Sequence, residues 1–335
     1  LAGTMLLLEE EEKKRVKGTI INKFRGDVSI LKPGLRMLEE KINTSVLGVI
    51  PYFHLDIEDE DSLTERFRKK SRSGLAKIAV IRLPRISNFT DIAPLEAVDE
   101  LDVSYVSNIS QFGDPDVVII PGSKNTISDL LWMRQNGLEG KILRHAAKGG
   151  IVFGICGGYQ MLGQSISDPT GAEQKGTVRG MRLLPVTTVF EQEKRRTRVS
   201  GRFAKVGGAL AEMSGVCYEG YEIHMGRTVL SKGTVPLVYM EEEGEQRQDG
   251  AQSDHVYGCY MHGIFDMSET VKTFLAAVLR KKGIDPSKIT VRDRNAYKEE
   301  QYDRLASIVR ENLNMEAVYK IIEKGNEASC SLLSE

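Results

Sequence analysis

Short apolar runs separated by polar turns recur along the first part of the chain. VKGTII at 16–21 and VLGVI at 46–50 have the length and composition of buried strands, and the spacing of residues 29–38 predicts a helix between them. The opening LAGTMLLLEEEEKKR places glutamates four residues before lysines and an arginine, which indicates the end of a helix rather than a signal peptide. These elements are too few for a complete doubly wound domain. A densely charged stretch at 56–74 follows, and we place a domain boundary near residue 75.

A regular alternation of strands and helices begins after this boundary. Apolar strand patterns occur at 77–82, 103–106, 116–120 and 151–155. The run DVVII at 116–120 is continuously apolar, as in parallel strands that are buried on both faces. A capping-box pattern at Thr126–Asp129 opens a helix before the last of these strands. The pattern predicts an α/β fold, with an open, mostly parallel sheet and flanking helices.

The second half of the predicted domain changes to strands separated by turns. This pattern runs from residue 182 to residue 263, and a helix at 268–280 closes the domain. The apolar spacing between Tyr302 and Leu313 predicts one amphipathic packing helix. We therefore expect domains at 1–75 and 76–283, followed by a helical extension and tail at 284–335.

Composition excludes several classes of protein. The 335 residues suit two or three domains, with 41% hydrophobic and 28% charged residues. A net charge of -1 argues against a nucleic-acid partner held by bulk electrostatics. A membrane helix needs about 20 consecutive apolar residues, and no run in this sequence approaches that length, so we expect no membrane partner. Four cysteines without a CxxC pair indicate neither a disulfide framework nor a zinc site, and we expect a cytoplasmic protein without a bound metal.

The segment GICGGYQ at 154–160 carries the sharpest chemical signal, because it directly follows an apolar strand. A nucleophile on such a tight turn needs small neighbours, and Cys156 has them. The turn would place its sulfur at a helix N-terminus and leave the Gly157 N–H free to face an oxyanion. A lone free cysteine is more often a small buried hydrophobe, but the G-x-C-x-G pattern after a strand reverses that preference.

A thiol nucleophile needs a base, and the chain offers five histidines. His262 follows a predicted strand, where functional groups gather in open α/β sheets, and His224 is the second candidate. Each histidine by itself is more often structural. The turn PGSKN at 121–125 follows the strand DVVII, and Gly122 could supply a second oxyanion N–H. Alone it is an ordinary turn, but beside Cys156 it completes a set of nucleophile, oxyanion donors and base.

These residues carry a family resemblance. The elbow, the upstream PGS turn and the downstream histidine resemble class I (triad-type) glutamine amidotransferases. The strings INKFRGD, LGVIPY, PGSKNT, GICGGYQMLG, YEIHMGRT and YMHGIFD, in this order, are similar to the cobyric acid synthase family. The resemblance extends from about residue 3 to about residue 323 and leaves out the final GNEASCSLLSE.

The resemblance implies an enzyme of cobalamin biosynthesis that hydrolyses glutamine at Cys156 with His262 as base. Gly122 and Gly157 would form the oxyanion hole, and Gln160 and Tyr221 would help to place glutamine. Ammonia would then reach ATP-activated carboxylates of the corrin adenosylcobyrinic acid a,c-diamide and amidate its b, d, e and g side chains to give cobyric acid. ATP and Mg²⁺ are expected for the full-length enzyme, with no cofactor in the amidotransferase domain.

Two departures from the family pattern qualify this expectation. No GxxxxGK[ST] phosphate loop occurs, so residues 1–75 are expected to be the C-terminal part of a P-loop-like α/β synthetase domain whose N-terminal segment is missing. Such a chain would keep only the glutaminase half of the reaction. Typical class I domains also carry His-x-Glu, whereas position 264 is Ile. The third triad member is therefore open, with Glu222 and Asp266 as candidate orienting acids.

Three alternatives stay open at this point. A cobyrinic acid a,c-diamide synthase of the same pathway is the nearest, although YEIHMGRT and the long C-terminal helix favour cobyric acid synthase. A non-catalytic amidotransferase-like module would only bind a ligand or partner. A thiol peptidase or hydrolase on the same sheet would act on other amides or esters and ignore glutamine.

Overall fold

The computed structural model describes residues 1–53, 55, 74–242, 245–289 and 294–331. Two compact units emerge, one formed by Leu1–Glu58 with Asn295–Glu335 and the other by Asp59–Arg294. The linker predicted in the charged stretch falls on residues 56–73, outside the described residues. The domain boundaries near residues 75 and 283 stay predictions.

The first unit is built on a strand–helix–strand arrangement. Strands β1 (Thr19–Phe24) and β2 (Val46–Pro51) are parallel, and the helix Val28–Ile42 connects them. The Asp27 carboxylate caps this helix by accepting the Ser29 N–H, and Asn43 ends it in the left-handed conformation. The first strand begins three residues later than its apolar pattern predicted.

Short helices and two C-terminal helices complete this unit. Their bounds are Ala2–Leu7, Glu10–Lys13, Arg294–Asn312 and Met315–Ser331. The pattern predicted one C-terminal helix, but the chain breaks at Leu313 and Asn314. Leu313 bridges Gly48 of β2, the Asn314 N–H donates to Leu47 O at 2.7 Å, and the Asn314 side chain accepts the Ala317 N–H. Pairing with β2 thus ends one helix and a new N-cap starts the next.

The second unit contains two larger sheets and a two-stranded one. Its strands are β3 (Ala76–Ile81), β4 (Ile86–Ser87), β5 (Leu101–Val106), β6 (Val117–Ile120), β7 (Gly122–Ser123), β8 (Ile151–Ile155), β9 (Ser165–Asp168), β10 (Gly176–Arg179), β11 (Val186–Phe203), β12 (Cys217–Leu230), β13 (Val238–Glu242), β14 (Glu245–Asp249), β15 (Ala251–Ser253) and β16 (Val256–Cys259). Its helices and 3₁₀ turns are Phe89–Ile92, Ala93–Glu96, Thr126–Gln135, Leu138–Ala147, Gly157–Leu162, Gly208–Met213, Ser268–Lys281 and Pro286–Lys288.

The main sheet confirms the predicted open, mostly parallel α/β fold. Its strand order is β15-β16-β8-β6-β3-β5, and every neighbouring pair except β15–β16 is parallel. Strands β6 and β8 lie inside the sheet and every residue of both is buried, as expected for strands covered on both faces. The helix after β7 begins one residue earlier than its capping box suggested, because the Asn125 side chain accepts the Ser128 N–H.

The second sheet has the order β10-β9-β11-β13-β14, with β12 paired to β11. The predicted strand-rich region at 182–263 supplies β11 to β14 of this sheet, whereas β9 and β10 precede that region and its last strands, β15 and β16, join the main sheet. The long antiparallel ribbon β11–β12 has an irregular register between Phe190 and Arg195. The two-stranded sheet pairs β4 with β7. Within the described part of the chain, no helix has both the length and the apolar composition to cross a bilayer.

Strand order determines which loops meet. Strands β16, β8, β6 and β3 are consecutive neighbours and run in the same direction, so the segments after their carboxyl ends gather at one edge of the sheet. Those segments contain His262, Cys156, Gly122 and Asp91. The sheet therefore assembles a site from residues that are far apart in sequence.

Candidate active site

Cys156 occupies the tight turn that the sequence predicted. It follows β8 with φ 52° and ψ −107° and caps the helix Gly157–Leu162. Positive φ in a residue other than glycine is strained, so the surrounding packing must hold this conformation. A Cβ on Gly154 would lie 2.7 Å from the Tyr159 nitrogen, which explains the small residue before the turn. The side chain is 6% exposed, with its sulfur 3.7 Å from Ile223 O.

His262 is paired with an aspartate that the sequence analysis did not select. Its Nδ1 lies 2.7 Å from Asp91 Oδ2, and the Gly263 N–H donates to Asp91 Oδ1 at 2.8 Å. The His262 and Asp91 side chains are 1% and 2% exposed. Since Nδ1 is occupied, Nε2 is the ring nitrogen left for other chemistry.

Electrostatics favour the charged form of His262. Burial, the largest influence, lowers its pKa, but the Asp91 carboxylate bonded to Nδ1 and the nearby Cys156 outweigh burial and raise the pKa to about 10. His262 Nε2 is buried and has no hydrogen-bond partner among the described residues, and Cys156 follows the neighbouring parallel strand β8. The structure thus brings together the predicted nucleophile and the predicted base.

Tyr221 contacts His262 through both ring and backbone. Its ring stacks on the imidazole at a centroid distance of 5.3 Å and an angle of 24°. The Tyr221 N–H donates to His262 O at 3.0 Å, and the His262 N–H donates to Tyr221 O at 2.9 Å. This tyrosine, expected to help place glutamine, lies where it restrains the imidazole plane.

The PGSKN turn lies beside both Cys156 and His262. Strand β7 pairs Gly122 with Ser87 of β4. A Cβ on Gly122 would lie 3.0 Å from His262 Cε1, and a Cβ on Gly157 would lie 3.0 Å from the Ser123 nitrogen. The two predicted oxyanion donors therefore belong to segments in close approach, and only glycine fits without displacing a neighbour.

Asp129 holds the PGSKN turn in place through hydrogen bonds. Its Oδ2 accepts the Ser123 hydroxyl at 2.7 Å and the Arg85 N–H at 3.2 Å, and its Oδ1 lies 3.2 Å from the Arg85 guanidinium. The Lys124 N–H also donates to Arg85 O at 2.8 Å. Arg85 and Asp129 thereby hold the turn against the segment that leads to Asp91.

Cys156 opens into a cavity of about 280 Å³ that has both apolar and polar lining residues. The residues that line it are Ser87, Asn88, Ser123, Lys124, Thr126, Cys156, Gln160, Glu173, Phe190, Ile223, His224 and Met225. Gln160 is buried, and its amide is fixed at both ends. Its Oε1 accepts the Thr126 hydroxyl at 3.1 Å and its Nε2 donates to Tyr260 Oη at 3.1 Å. Gln160 thus forms part of the wall with its orientation set by the protein.

Glu173 is a second residue that the sequence analysis missed. Its carboxylate accepts the Ile127 N–H at 3.3 Å and lies 3.3 Å from the Thr126 hydroxyl, whose single proton it shares with Gln160, and burial raises its pKa. The buried Asp168 carboxylate holds the loop in place by accepting four backbone N–H groups, those of residues 171–174, at 2.8–2.9 Å. The sequence offered a local signal for Asp168, an acid at the end of β9 and just before a glycine-containing turn, but none for Glu173 itself.

The two expected orienting acids have other surroundings. The Glu222 carboxylate lies 3.0 Å from Arg195 Nε, contacts Arg247, and lies 3.6 Å from His224 Nε2. Asp266 is exposed, and its Oδ2 would be 2.9 Å from a Cβ on Gly263. The acid bonded to the His262 ring is Asp91.

His224, the second candidate base, lines the same cavity as Cys156. Its ring stacks on Tyr260 at 3.7 Å, and its Nδ1 lies 2.8 Å from Gly226 O. These contacts make it a wall residue of the cavity. Within the described ranges, no group of three or more His, Cys, Asp and Glu side chains is arranged to hold a metal ion.

Comparison with known proteins gives consistent matches. The model of the CobB/CobQ-like glutamine amidotransferase domain matches residues 77–270. Cobyric acid synthase of Ruminiclostridium cellulolyticum is 55% identical over 331 residues, which cover 98% of this chain and 64% of that protein. Cobyric acid synthase of Lachnoclostridium phytofermentans is 46% identical, with 97% and 66% covered. The chain thus spans 64–66% of the length of these relatives.

Proposed function

Because this chain belongs to the CobB/CobQ-like glutamine amidotransferase family, we propose that it hydrolyses the side-chain amide of glutamine at Cys156. The observation that carries the proposal is that Cys156 and His262 follow the adjacent parallel strands β8 and β16 and that the PGSKN turn closely approaches both segments. A strained, buried cysteine beside a charged histidine is the arrangement that activates a thiol nucleophile.

The reaction has two halves. The Cys156 sulfur forms a bond to the amide carbon of glutamine, while the thiol proton is held on His262 Nε2. Backbone N–H groups of Gly122 and Gly157 stabilise the oxyanion, each contributing about 3 kcal/mol. The carbon–nitrogen bond breaks and ammonia leaves with the proton from His262. Water, activated by His262, then hydrolyses the glutamyl thioester to release glutamate and restore the thiol.

Charged residues in the cavity suit the amino-acid end of glutamine. Glu173 can accept from the α-ammonium group, and Lys124 can pair with the α-carboxylate, since both line the cavity that contains Cys156. Asp168 contributes to glutamine binding indirectly, because its carboxylate accepts the backbone N–H of Glu173 and so fixes the position of that residue. Gln160 shapes the wall of this pocket, and Tyr221 keeps the imidazole in its plane.

For the whole protein, we propose the cobyric acid synthase reaction in the cytoplasm. Ammonia would amidate the b, d, e and g carboxylates of adenosylcobyrinic acid a,c-diamide after their activation by ATP. The support is the 55% identity with a cobyric acid synthase over 98% of this chain. A Mg²⁺·ATP site of the P-loop type needs a phosphate-binding loop that this sequence does not contain, so we derive no step through that site.

Glutamate release and covalent labelling together test the glutaminase proposal. We expect the chain to release glutamate from glutamine, and Cys156→Ala to lower the rate at least about 1,000-fold because it removes the nucleophile. A glutamine-mimicking diazoketone should label Cys156, excess glutamine should block it, and peptide mass spectrometry should locate the adduct.

Cys217→Ala is the matched control, since Cys217 is an exposed cysteine. It should keep both turnover and labelling. Labelling of several cysteines without protection by glutamine, together with no turnover, would instead identify a non-catalytic binding module. Turnover of other amides or esters with glutamine ignored would identify a thiol hydrolase.

A further inference from the structure

We propose that Asp91 is the positioning residue of this active site and holds the His262 imidazole so that Nε2 faces Cys156. The inference deepens the proposed glutaminase function and rests on it. Position 264, where class I domains usually carry the orienting glutamate, is a buried isoleucine with no polar atom in its side chain. A carboxylate from a distant part of the chain occupies the position beside the ring instead.

Both oxygens of Asp91 are committed to the histidine segment. Oδ2 lies 2.7 Å from His262 Nδ1, and Oδ1 accepts the Gly263 N–H at 2.8 Å. The second bond fixes the rotation of the carboxylate about its own axis, and the first then fixes the ring. Because both side chains are almost fully buried, water does not compete for these bonds. The pair is therefore preorganised before any substrate binds.

The segment that carries Asp91 also supports the oxyanion turn. Asp91 lies in the 3₁₀ turn Phe89–Ile92, immediately after β4, and its N–H donates to Asn88 O at 3.0 Å. Strand β4 pairs with β7, which contains Gly122. One short segment thus sets the positions of the base and the oxyanion turn relative to each other. A shift of this segment would move both, which accounts for the bonds between Arg85 and Asp129 at its start.

The chemical role follows from the nitrogen that Asp91 binds. With Nδ1–H donated to the carboxylate, Nε2 is the nitrogen that exchanges a proton with Cys156 and with departing ammonia. The groups that face the ring are Asp91, the Cys156 thiol and the stacked Tyr221 ring. The Asp91 carboxylate stabilises the imidazolium throughout the cycle.

Asp91→Asn tests the proposal with little change of shape. We expect kcat for glutamine to fall about 100- to 10,000-fold, while KM changes by less than about 3-fold because Asp91 does not touch substrate. The alkaline limb of kcat/KM should move to lower pH, because loss of the carboxylate lowers the pKa of the imidazolium that must protonate ammonia. A merely structural role would not move that limb.

Two further aspartate variants serve as comparisons for Asp91→Asn. Asp99→Asn changes an exposed aspartate that follows in the same segment, and should leave kcat unchanged. Asp266→Asn tests the acid expected from the sequence. A large loss in Asp266→Asn together with unchanged kcat in Asp91→Asn would overturn the proposal.

Nuclear magnetic resonance of labelled histidine gives a readout that needs no glutamine turnover. In the wild-type chain we expect a far-downfield Nδ1 proton assigned to His262, lost in Asp91→Asn. A wild-type spectrum in which Nδ1 carries no proton would overturn the proposal even if the variant did not fold. Absence of glutaminase activity with this proton present would refute the proposed function but leave the Asp91–His262 assignment standing.

Discussion

At the scale of single residues, the site depends on ionisable groups that are hydrogen-bonded within the protein. His262, Asp91 and Glu173 all bond to other groups of the protein before substrate arrives. Cys156 and His262 could be selected from the sequence because cysteine and histidine are rare and each follows an apolar strand. Aspartate and glutamate are common, with 47 in the chain, so nothing local distinguished Asp91 or Glu173.

Glu173→Gln tests substrate recognition at this scale. The amide keeps the size of the side chain but loses the negative charge that would face the α-ammonium group of glutamine. We expect KM for glutamine to rise about 10- to 100-fold with kcat nearly unchanged, since the interaction is equal in ground and transition states. Glu191→Gln, a change of an exposed glutamate on β11, serves as the control in the same steady-state assay. A fall in kcat alone would contradict this assignment.

At the scale of elements, the turn at Cys156 is held in place because the helix after it packs directly on β6. Gly158 lies in that helix, and a Cβ there would overlap the Ile120 carbonyl at the end of β6. The nucleophile and the PGSKN turn are therefore held together by backbone contact, which no side-chain change elsewhere can replace.

Gly158→Ala should therefore destabilise the amidotransferase unit. Forcing a methyl group into this contact costs about 1–3 kcal/mol and should displace the turn, so glutaminase activity should fall as well. Urea unfolding followed by circular dichroism measures the loss of stability. Gly140→Ala is the matched control, because a Cβ at Gly140 meets only the Arg144 side chain at 3.6 Å and should stabilise its helix by about 0.5–1 kcal/mol. Equal unfolding midpoints for the two variants would contradict the packing argument.

At the scale of the whole molecule, buried charge couples stability to pH. Burial alone would raise the pKa of Glu222, but hydrogen bonds and charges from His224 and Arg247 lower it to about 2 from the usual 4.5. Glu222 on β12, Arg195 on β11 and Arg247 on β14 tie three strands of the second sheet. Because the folded pKa lies below the unfolded one, this contribution is present above pH 4.5 and is lost as pH falls toward about 2.

We predict that the wild-type protein loses stability as pH falls and that Glu222→Gln reduces this loss. The shift corresponds to about 3 kcal/mol between the two ends of this pH range. The variant should be less stable at pH 7 but lose less on acidification, as measured by urea midpoints at several pH values. Glu219→Gln changes an exposed glutamate of the same strand and should follow the wild-type profile. Parallel profiles for Glu222→Gln and wild type would contradict the role of this ion pair.

The sequence by itself determined the sheet class and the central strands, and it predicted Cys156 as nucleophile, His262 as base, and Gly122 and Gly157 as oxyanion donors. Each of these depends on a local signal: a continuous apolar run, a rare reactive side chain, or a glycine pattern that a crowded turn requires. The strand from 151 to 155 matched its apolar run residue for residue, since a fully buried strand cannot be longer than its apolar stretch.

Only the tertiary structure decided which acid contacts the His262 ring. The orientation of the imidazole depends on strand order, because the loop after β3 reaches the loop after β16 across two intervening strands. No spacing along the chain encodes that approach, and Asp91 and His262 are 171 residues apart. The same holds for Glu173 and for the ion pairs of Glu222, whose partners come from other segments. Local patterns specify elements, whereas contacts between distant carboxylates and their partners exist only after the sheet has formed.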